Sequence, residues 1–534
     1  MTVVETLAGP VEPVEPVEPV AAGRQWPSPS ARWMYVLVAV ATAGIALVGL
    51  TSGPAFQDDE GIYVSQAHAI GDGRLSPYTY WYDHPPLGWI QMFMLGWFPS
   101  KLGLGGSELG AARMAVAVMF VATAVMTYAL ARRMGVRIVA AVAVTALFVL
   151  SPLSLELGRQ VYLDNIALPW LLLAFWLAAS PSHSLAGHIA AGLTFAVACL
   201  SKETFALTGP ALLYLLWQHT HHRNRVFSVV GFLVVGGLTL LFYPLMGLLR
   251  GELLPGEGHV SLWDGLTFQF GRVGSGYVWQ DGSSKSGLLA GWMGADAILV
   301  WGGLVAAAVC LVSRRTRWIS IALGMLAVPV VATAGYLPAM YIIVALPLLA
   351  LGIGVVLDHG WTLASRRVLS PLQPRLRSVA GMVAAVLVVC ALPLGARAGS
   401  GERYADLLGG QSNREWRQML NYVERSVDRD AVIVVPFSMW PDLERAGWAG
   451  PWRVIAAEKI DLDPIEFARF HPQGWASIDY IVYDPVLAAK IEDLDLAQLR
   501  RAVANSEVVA SFGAHELRKM RAGTTDRSQK GTTR

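Results

Sequence analysis

Hydrophobic residues fall in long uninterrupted runs along most of this chain, not in the short amphipathic patterns of a water-soluble core. Runs near residues 33–51, 111–131, 138–153, 161–179, 185–200, 203–217, 226–248, 288–312, 318–334, 339–357 and 378–396 approach or exceed the length that crosses ~30 Å of hydrocarbon. They predict an α-helical polytopic membrane protein with about eleven transmembrane helices; short runs and the shared boundary around Lys202 leave that number open by one or two. After residue 397 the pattern changes. Ala431–Pro436 (AVIVVP) and Asp479–Asp484 (DYIVYD) predict short buried strands, Asn413–Val427 and Leu494–Asn505 are helix-patterned, and a last strand falls near Val508–Leu517. Alternating elements of this kind predict a small α/β domain. The organisation expected is a disordered tail over 1–31, a transmembrane domain over 32–396 with external loops at 53–110 and 249–287, an α/β domain over 397–522 and a second tail over 523–534.

Charge supports two solvents. Only 15% of the 534 residues are charged, and 39 of those charges lie between Arg397 and Arg534, so about 10% of the first 396 residues are charged against about 28% of the rest. A net charge of +2 without a Lys/Arg block gives no electrostatic footprint for nucleic acid. Cys199, Cys310 and Cys390 lie far apart inside apolar runs, so neither a disulfide framework nor a thiolate metal site is expected. The VEPVEPVEPV stretch (Val11–Val20) cannot bury a core, and with no cleavage site after it the first apolar run reads as a retained membrane helix. Basic connections at Arg132, Arg133 and Arg137, at Arg223 and Arg225, at Arg314, Arg315 and Arg317, and at Arg366, Arg367, Arg375 and Arg377 share one side of this topology. The positive-inside rule makes that side cytoplasmic, which puts the N-terminus inside, the α/β domain outside and the whole in a plasma membrane. The loop 53–110 mixes Tyr78, Tyr80, Trp81, Tyr82, Trp89, Trp97 and Phe98 with prolines, a composition suited to a membrane interface.

Candidate chemistry gathers at the external ends of the spans. Asp59 and Glu60 follow the first run, His84 sits in the first external loop, Arg159 precedes the fourth run, Asp164 opens it, and Lys202 separates the fifth from the sixth. An ionised group within a span costs ~2.5–3.5 kcal/mol on insertion scales, so such groups pair, face a cavity or serve a function. Each also has a bland reading. Asp58 to Glu60 fit a solvated acidic turn, Asp164 a helix cap, Lys202 with Glu203 a snorkelling pair, and His84-Pro85-Pro86 a rigid extended turn. No Gly-rich phosphate loop, G-x-S-x-G elbow or H-E-x-x-H helix is present in the C-terminal part.

Four segments in order carry a resemblance. Phe56-Gln57-Asp58-Asp59-Glu60-Gly61-Ile62-Tyr63 resembles the D-E-x-x-Y motif that opens the first external loop of GT-C class membrane glycosyltransferases. His84-Pro85-Pro86-Leu87 resembles the basic-Pro-Pro-Leu segment of the protein O-mannosyltransferase and aminoarabinose transferase (ArnT-like) branch. Arg159-Gln160-Val161-Tyr162-Leu163-Asp164 and Ser201-Lys202-Glu203 resemble its Arg-to-Asp stretch and its Lys-containing turn; the likeness covers roughly residues 30–360. One departure concerns the later Y…P segment. Where relatives often carry a Lys or Arg before the Tyr, Tyr341 to Pro347 follows Pro338-Ala339-Met340, and Arg159, His84 or Arg272 stand as substitutes for that cation.

The resemblance implies a GT-C-like fold and an inverting transfer of a sugar from a polyprenyl-phosphate donor to an acceptor hydroxyl of a glycan, lipid or protein at the outer face of the membrane. It implies Asp59 as general base, with Glu60 and Asp164 as further catalytic carboxylates, and Lys202, His84, Arg159, Tyr63 and Tyr341 as donor-binding residues. Glu60 or Asp164 also offers oxygen ligands to a divalent cation, but no metal site is assigned. A transporter or lipid flippase is the competing reading, since charges at span ends also line permeation routes; a polymerase or ligase of cell-envelope glycans differs only in acceptor.

Overall fold

The computed structural model describes residues 29–367, 400–448 and 450–521. The N-terminal stretch through residue 28, the expected span at 378–396 with Arg375 and Arg377 before it, and the end of the chain from residue 522 lie outside them. The apolar runs form helices, the one open-chain structure that satisfies every backbone group internally in hydrocarbon. In order they are α1 (Pro29–Leu47), α2 (Asp58–Gly71), α3 (Leu87–Lys101), α4 (Glu108–Arg133), α5 (Ile138–Val149), α6 (Pro152–Arg159), α7 (Leu163–Ala178) and α8 (Leu185–Ser201). There follow α9 (Gly209–Gln218), α10 (Arg225–Leu240), α11 (Phe242–Leu249), α12 (Leu262–Gly271), α13 (Ser284–Ala295), α14 (Ala297–Cys310), α15 (Arg317–Val331) and α16 (Leu346–Arg367). The buried α7 packs against α4 and α8, and α8 against α10. Gly192 permits that last approach: a Cβ there would stand 2.4 Å from the Phe232 carbonyl oxygen.

Among the described residues three stretches, Glu108–Arg133, His222–Leu249 and Ala339–Thr362, are long and apolar enough to cross a membrane, or up to five if each of two bent pairs is one span. The bends depart from the continuous helices expected at 138–153 and 288–312. Between α5 and α6 the axis turns 62°, where Ser151 leaves the helix, its hydroxyl accepts the Ser154 N–H at 3.2 Å, and Pro152 starts the next helix without a donor to lose. Between α13 and α14 it turns 103° at Asp296, whose carboxylate accepts the Leu299 N–H at 2.8 Å. In both cases one capping side chain inside an apolar run overrides the run.

The C-terminal part carries a five-stranded sheet of order β2-β1-β3-β5-β4, with β1 (Ile433–Val435), β2 (Val454–Ala456), β3 (Tyr480–Tyr483), β4 (Ser506–Phe512) and β5 (His515–Met520). β1 runs parallel to both β2 and β3, and β5 antiparallel to β3 and β4. The predicted helices appear at Arg414–Ser426 and Ala497–Ala504. The single strand expected near Val508–Leu517 is instead a hairpin that reverses through Gly513, at φ +58°. β2 was not predicted from the sequence.

One buried ion pair fixes how the first external loop meets the bundle. Glu60, in the first turn of α2, and Arg113, in α4, are both fully buried. Arg113 donates from Nε at 2.8 Å and Nη2 at 2.6 Å to the Glu60 carboxylate, which also accepts the N–H groups of Gln57 at 3.0 Å and Val161 at 2.9 Å. The remaining Arg113 donors reach the carbonyls of Leu50, Pro54 and Ala55, and its guanidinium lies 4.3 Å over the Phe56 ring.

The sheet unit docks on the same helix. Asp58 accepts from the Ser438 N–H at 3.1 Å and from Lys490 at 2.9 Å, and Gly61 lies so close that a Cβ would stand 1.9 Å from the Phe437 carbonyl oxygen. A second tie joins the start of α4 to the helix Trp440–Arg445, where Asp442 accepts the Glu108 N–H at 2.7 Å. Since α4 has 26 residues and rises roughly 39 Å, the sheet unit and the Arg132–Arg133 end of that helix lie at opposite ends of the bundle. The aromatic loop is more buried than an interfacial position requires. Tyr80, Tyr82 and Trp89 are core residues and Tyr78 packs on Trp440 and Trp452, whereas Trp97 and Phe98 stay exposed.

Removing one partner of the buried pair, by Glu60→Ala or Arg113→Ala, is expected to cost ~3–5 kcal/mol, because the other charge is stranded. Thermal unfolding of the detergent-purified variants measures this, and an unchanged midpoint refutes it. A second prediction concerns Asp442. Burial, reinforced by the charges of Glu108 and Glu424, pushes its carboxyl up to about 7 against the Glu108 hydrogen bond and Arg445, and its Oδ2 has no partner among the described residues. The folded chain therefore holds a proton that the unfolded chain has lost, so the stability this group contributes fades as pH rises from about 4 to about 7. Asp442→Asn keeps the acceptor and removes the titration. Its unfolding midpoint should gain on wild type across that window, and parallel profiles would contradict the assignment.

Candidate active site

With Glu60 turned inward onto Arg113, the helical step of about 100° per residue aims its two neighbours elsewhere. Asp58 faces the sheet unit. Asp59 keeps an exposed side and accepts no hydrogen bond among the described residues, while the rest of it is enclosed by the surrounding protein. That enclosure raises its pKa, with Glu458 and Asp58 adding to the rise and Lys490 and Lys202 opposing it. A carboxylate that is accessible, without a hydrogen-bond partner and raised in pKa is suited to accept a proton.

Lys202 ends α8 in extended conformation and is 5% exposed. Its Nζ lies 3.1 Å from His84 Nε2 and 3.8 Å from the Glu203 carboxylate, and His84 Nδ1 lies 3.0 Å from Glu203 Oε2. An ammonium only donates, so Nε2 accepts here and Nδ1 carries the proton toward Glu203. The Tyr80 hydroxyl holds the loop by donating to the His84 carbonyl at 3.0 Å. Behind it, Gly88 brings α3 onto the end of α8, where a Cβ would stand 2.9 Å from the Ser201 carbonyl, and Gln91 donates to Ser201 Oγ at 2.7 Å.

Asp164 is buried at the start of α7, within electrostatic reach of Lys202, Glu203 and His84, and its Oδ2 has no partner among the described residues. The Tyr63 ring lies 6.0 Å from the His84 ring. Burial raises the Tyr63 hydroxyl well above its ordinary value, and Asp59, Asp164, Asp83 and Glu203 all add to the rise. Tyr63 therefore marks the centre of one polar group that holds Asp59, His84, Asp164 and Lys202. Tyr341 borders it, since Asp164 acts on its hydroxyl, which donates to the Leu326 carbonyl at 3.0 Å.

Two expected members are spent elsewhere. Glu60 has its oxygens taken by Arg113 and two backbone N–H groups. Arg159, almost fully buried, donates to the carbonyls of Leu407 at 2.6 Å and Ile45 at 2.5 Å, tying α6 to α1 and to the helix Ser400–Gly409. Arg272 stacks on Tyr336 at 3.7 Å. Among the described residues no group of three or more His, Cys, Asp or Glu is arranged to hold a metal ion, and Glu60 has no open lone pair to offer one.

The sequence reading missed Arg113, although a cation inside the run 111–131 obeys the same expense rule that singled out the others. It also missed the sheet unit's contribution. Lys490 bridges Asp58 and Glu458, and Lys459 reaches over Tyr78 and Trp81 at 5.7 and 5.9 Å. Burial lowers the Lys459 ammonium, against Glu458, Asp463 and Asp83. No sequence signal tied residues some 400 positions apart.

Residues 83–246 match the family model described as dolichyl-phosphate-mannose-protein mannosyltransferase, a segment that contains His84, Arg113, Arg159, Asp164 and Lys202. The fold is similar to that of ArnT from Cupriavidus metallidurans bound to undecaprenyl phosphate, with 16% identity and a TM-score of 0.55 over 95% of this chain and 100% of that one. It is similar also to the Archaeoglobus fulgidus oligosaccharyltransferase in complex with Zn and sulfate, with 13% identity and a TM-score of 0.52 over 88% of this chain and 71% of that one. No curated protein sequence matches the chain. A segment of the chain is thus similar to that mannosyltransferase family, and over most of its length the chain shares the fold of these two solved structures.

Proposed function

We propose that this protein is an inverting glycosyltransferase that moves a sugar from a polyprenyl-phosphate carrier to an acceptor hydroxyl at the outer face of the plasma membrane. The observation that carries the reading is that an open carboxylate, Asp59, lies within electrostatic reach of a nearly buried ammonium, Lys202. In this reading about eleven helices span the membrane, the shorter apolar helices among them, with the N-terminus inside. The sheet unit lies outside, because it docks at the end of α4 opposite Arg132 and Arg133.

The step balances without a metal. Asp59 takes the acceptor hydroxyl proton as that oxygen attacks the anomeric carbon. The new C–O bond forms as the bond from that carbon to the phosphate oxygen breaks, and the carrier leaves as a phosphate. Attack opposite the leaving group inverts the centre. Lys202, held by His84 and Glu203, donates to the phosphate and stabilises the charge that grows on it; Asp164 positions Lys202. Tyr63 and Tyr341 border the sugar-phosphate, while Glu60 and Arg159 act as positioning residues. The ArnT structure holds a lipid phosphate of the kind proposed here as the donor's carrier. A transporter would spread its charges along a route through the bilayer, whereas these collect at one end of the helices.

Purified protein with a polyprenyl-phosphate sugar and candidate acceptors tests the reading. Asp59→Asn is expected to lower product formation by at least ~10²-fold while the thermal midpoint holds; full activity would remove Asp59 as the base. Lys202→Ala should weaken donor binding by about tenfold or more as well as slowing transfer. Unchanged donor binding would reassign Lys202 to structure.

A further inference from the structure

A cavity of about 520 Å³ opens where the first external loop meets the sheet unit. It falls within the ~300–1,000 Å³ of small-ligand sites. Its aromatic walls are Tyr78, Trp440, Trp448, Trp452 and Phe470. Glu444 and Glu466 bring carboxylates, and Arg74, Ser76 and Thr79 complete the polar side.

Several of these rings are fixed at their polar tips. The outward backbone groups of the edge strand β2 are taken: the Val454 carbonyl accepts from Trp440 Nε1 at 3.0 Å, and the Ala456 N–H donates to the Tyr78 hydroxyl at 2.8 Å. An extended peptide therefore finds neither of these ladder groups free. Trp452 stands against Tyr78 at 4.9 Å and parallel to Phe470, 5.9 Å away and 17° from coplanar. Its backbone has φ +60°, a conformation costly for a bulky residue, and its carbonyl is tied to His471 Nε2 at 2.8 Å. Phe470 is 39% exposed, an apolar ring left facing solvent.

We propose that this cavity binds a saccharide, the acceptor glycan of the reaction. Fixed aromatic faces, with their negative quadrupole, match the C–H faces of sugar rings, and carboxylates accept paired sugar hydroxyls. The cavity is linked through the chain to the candidate active site. Chain leaving β2 passes from Ala456 to Glu458 and Lys459; Lys459 lies on Tyr78, and Glu458 shares Lys490 with Asp58, beside Asp59. The segment after β2 thus touches both the cleft, through Lys459, and the neighbourhood of Asp59, through Glu458. This assignment deepens the transferase reading and rests on it for the word acceptor, but not for the binding.

The test is titration of the full chain in detergent, followed by tryptophan fluorescence, with a panel of neutral hexose and pentose oligosaccharides and a Ser/Thr-rich peptide as the competing occupant. Wild type and Asp59→Asn are expected to bind at least one oligosaccharide saturably. Phe470→Ala and Glu444→Gln, both at exposed positions, should each weaken that binding about tenfold, and Trp452→Phe less. Binding that behaves so supports the cleft even where no transfer to that saccharide is detected, and then it is the reaction assignment that fails. No saturable saccharide binding, saccharide binding indifferent to these substitutions, or peptide binding that they abolish would each overturn it.

Discussion

The buried pair between Glu60 and Arg113 is the constraint on which the polar end of this protein depends. Desolvating two charges is expensive, and their attraction rarely returns more than that cost, so the pair is weak as a source of stability. Its value is positional. With Glu60 drawn onto Arg113 and the Val161 N–H, the start of α2 is bound at once to α4 and to the segment that leads into α7. Three consecutive acids then serve three ends. Asp58 receives the sheet unit, Asp59 stays open, and Glu60 anchors both.

The sheet unit does more than cover the bundle. Its Lys490 reaches between Asp58 and Glu458, and these charges act on Asp59 with opposite signs, so that burial decides the direction. Gly61 is the geometric condition for this arrangement, because any side chain there would push Phe437 away and take Lys490 with it. The basicity of a residue near the beginning of the chain is thus set by groups near its end.

The sequence made the helical runs, the basic connections and the polar residues at the span ends legible because each is a local property of lipid and charge. Asp59, His84, Asp164 and Lys202 could be singled out one at a time, since each is costly where it stands. Their distances could not, nor could the diversion of Glu60 and Arg159, whose partners are a distant guanidinium and two backbone carbonyls. The breaks at Ser151 and Asp296 were hidden because a window average outweighs one capping residue. Tyr78 was misplaced for a related reason: composition draws an aromatic ring to an interface, and here the interface is with the sheet unit.

In the transferase reading the same field serves and opposes the reaction. The polar group carries an excess of carboxylate: Glu458 and Asp58 help to keep Asp59 basic, and Asp164 and Glu203 act on Lys202. This excess also repels an incoming phosphate. Lys202 offsets part of that cost, because its bond to His84 Nε2 is to a neutral acceptor and can give way to a phosphate oxygen, a charge-assisted bond about twice as strong. The rest has to come from outside the polar group. A polyprenyl tail gains ~0.8 kcal/mol for each CH₂ kept in an apolar environment, so the carrier is already concentrated at the membrane before its head meets the charges. Carrying the donor on a lipid therefore lets the site hold a base strong enough to attack with, without having to bind the phosphate tightly by itself.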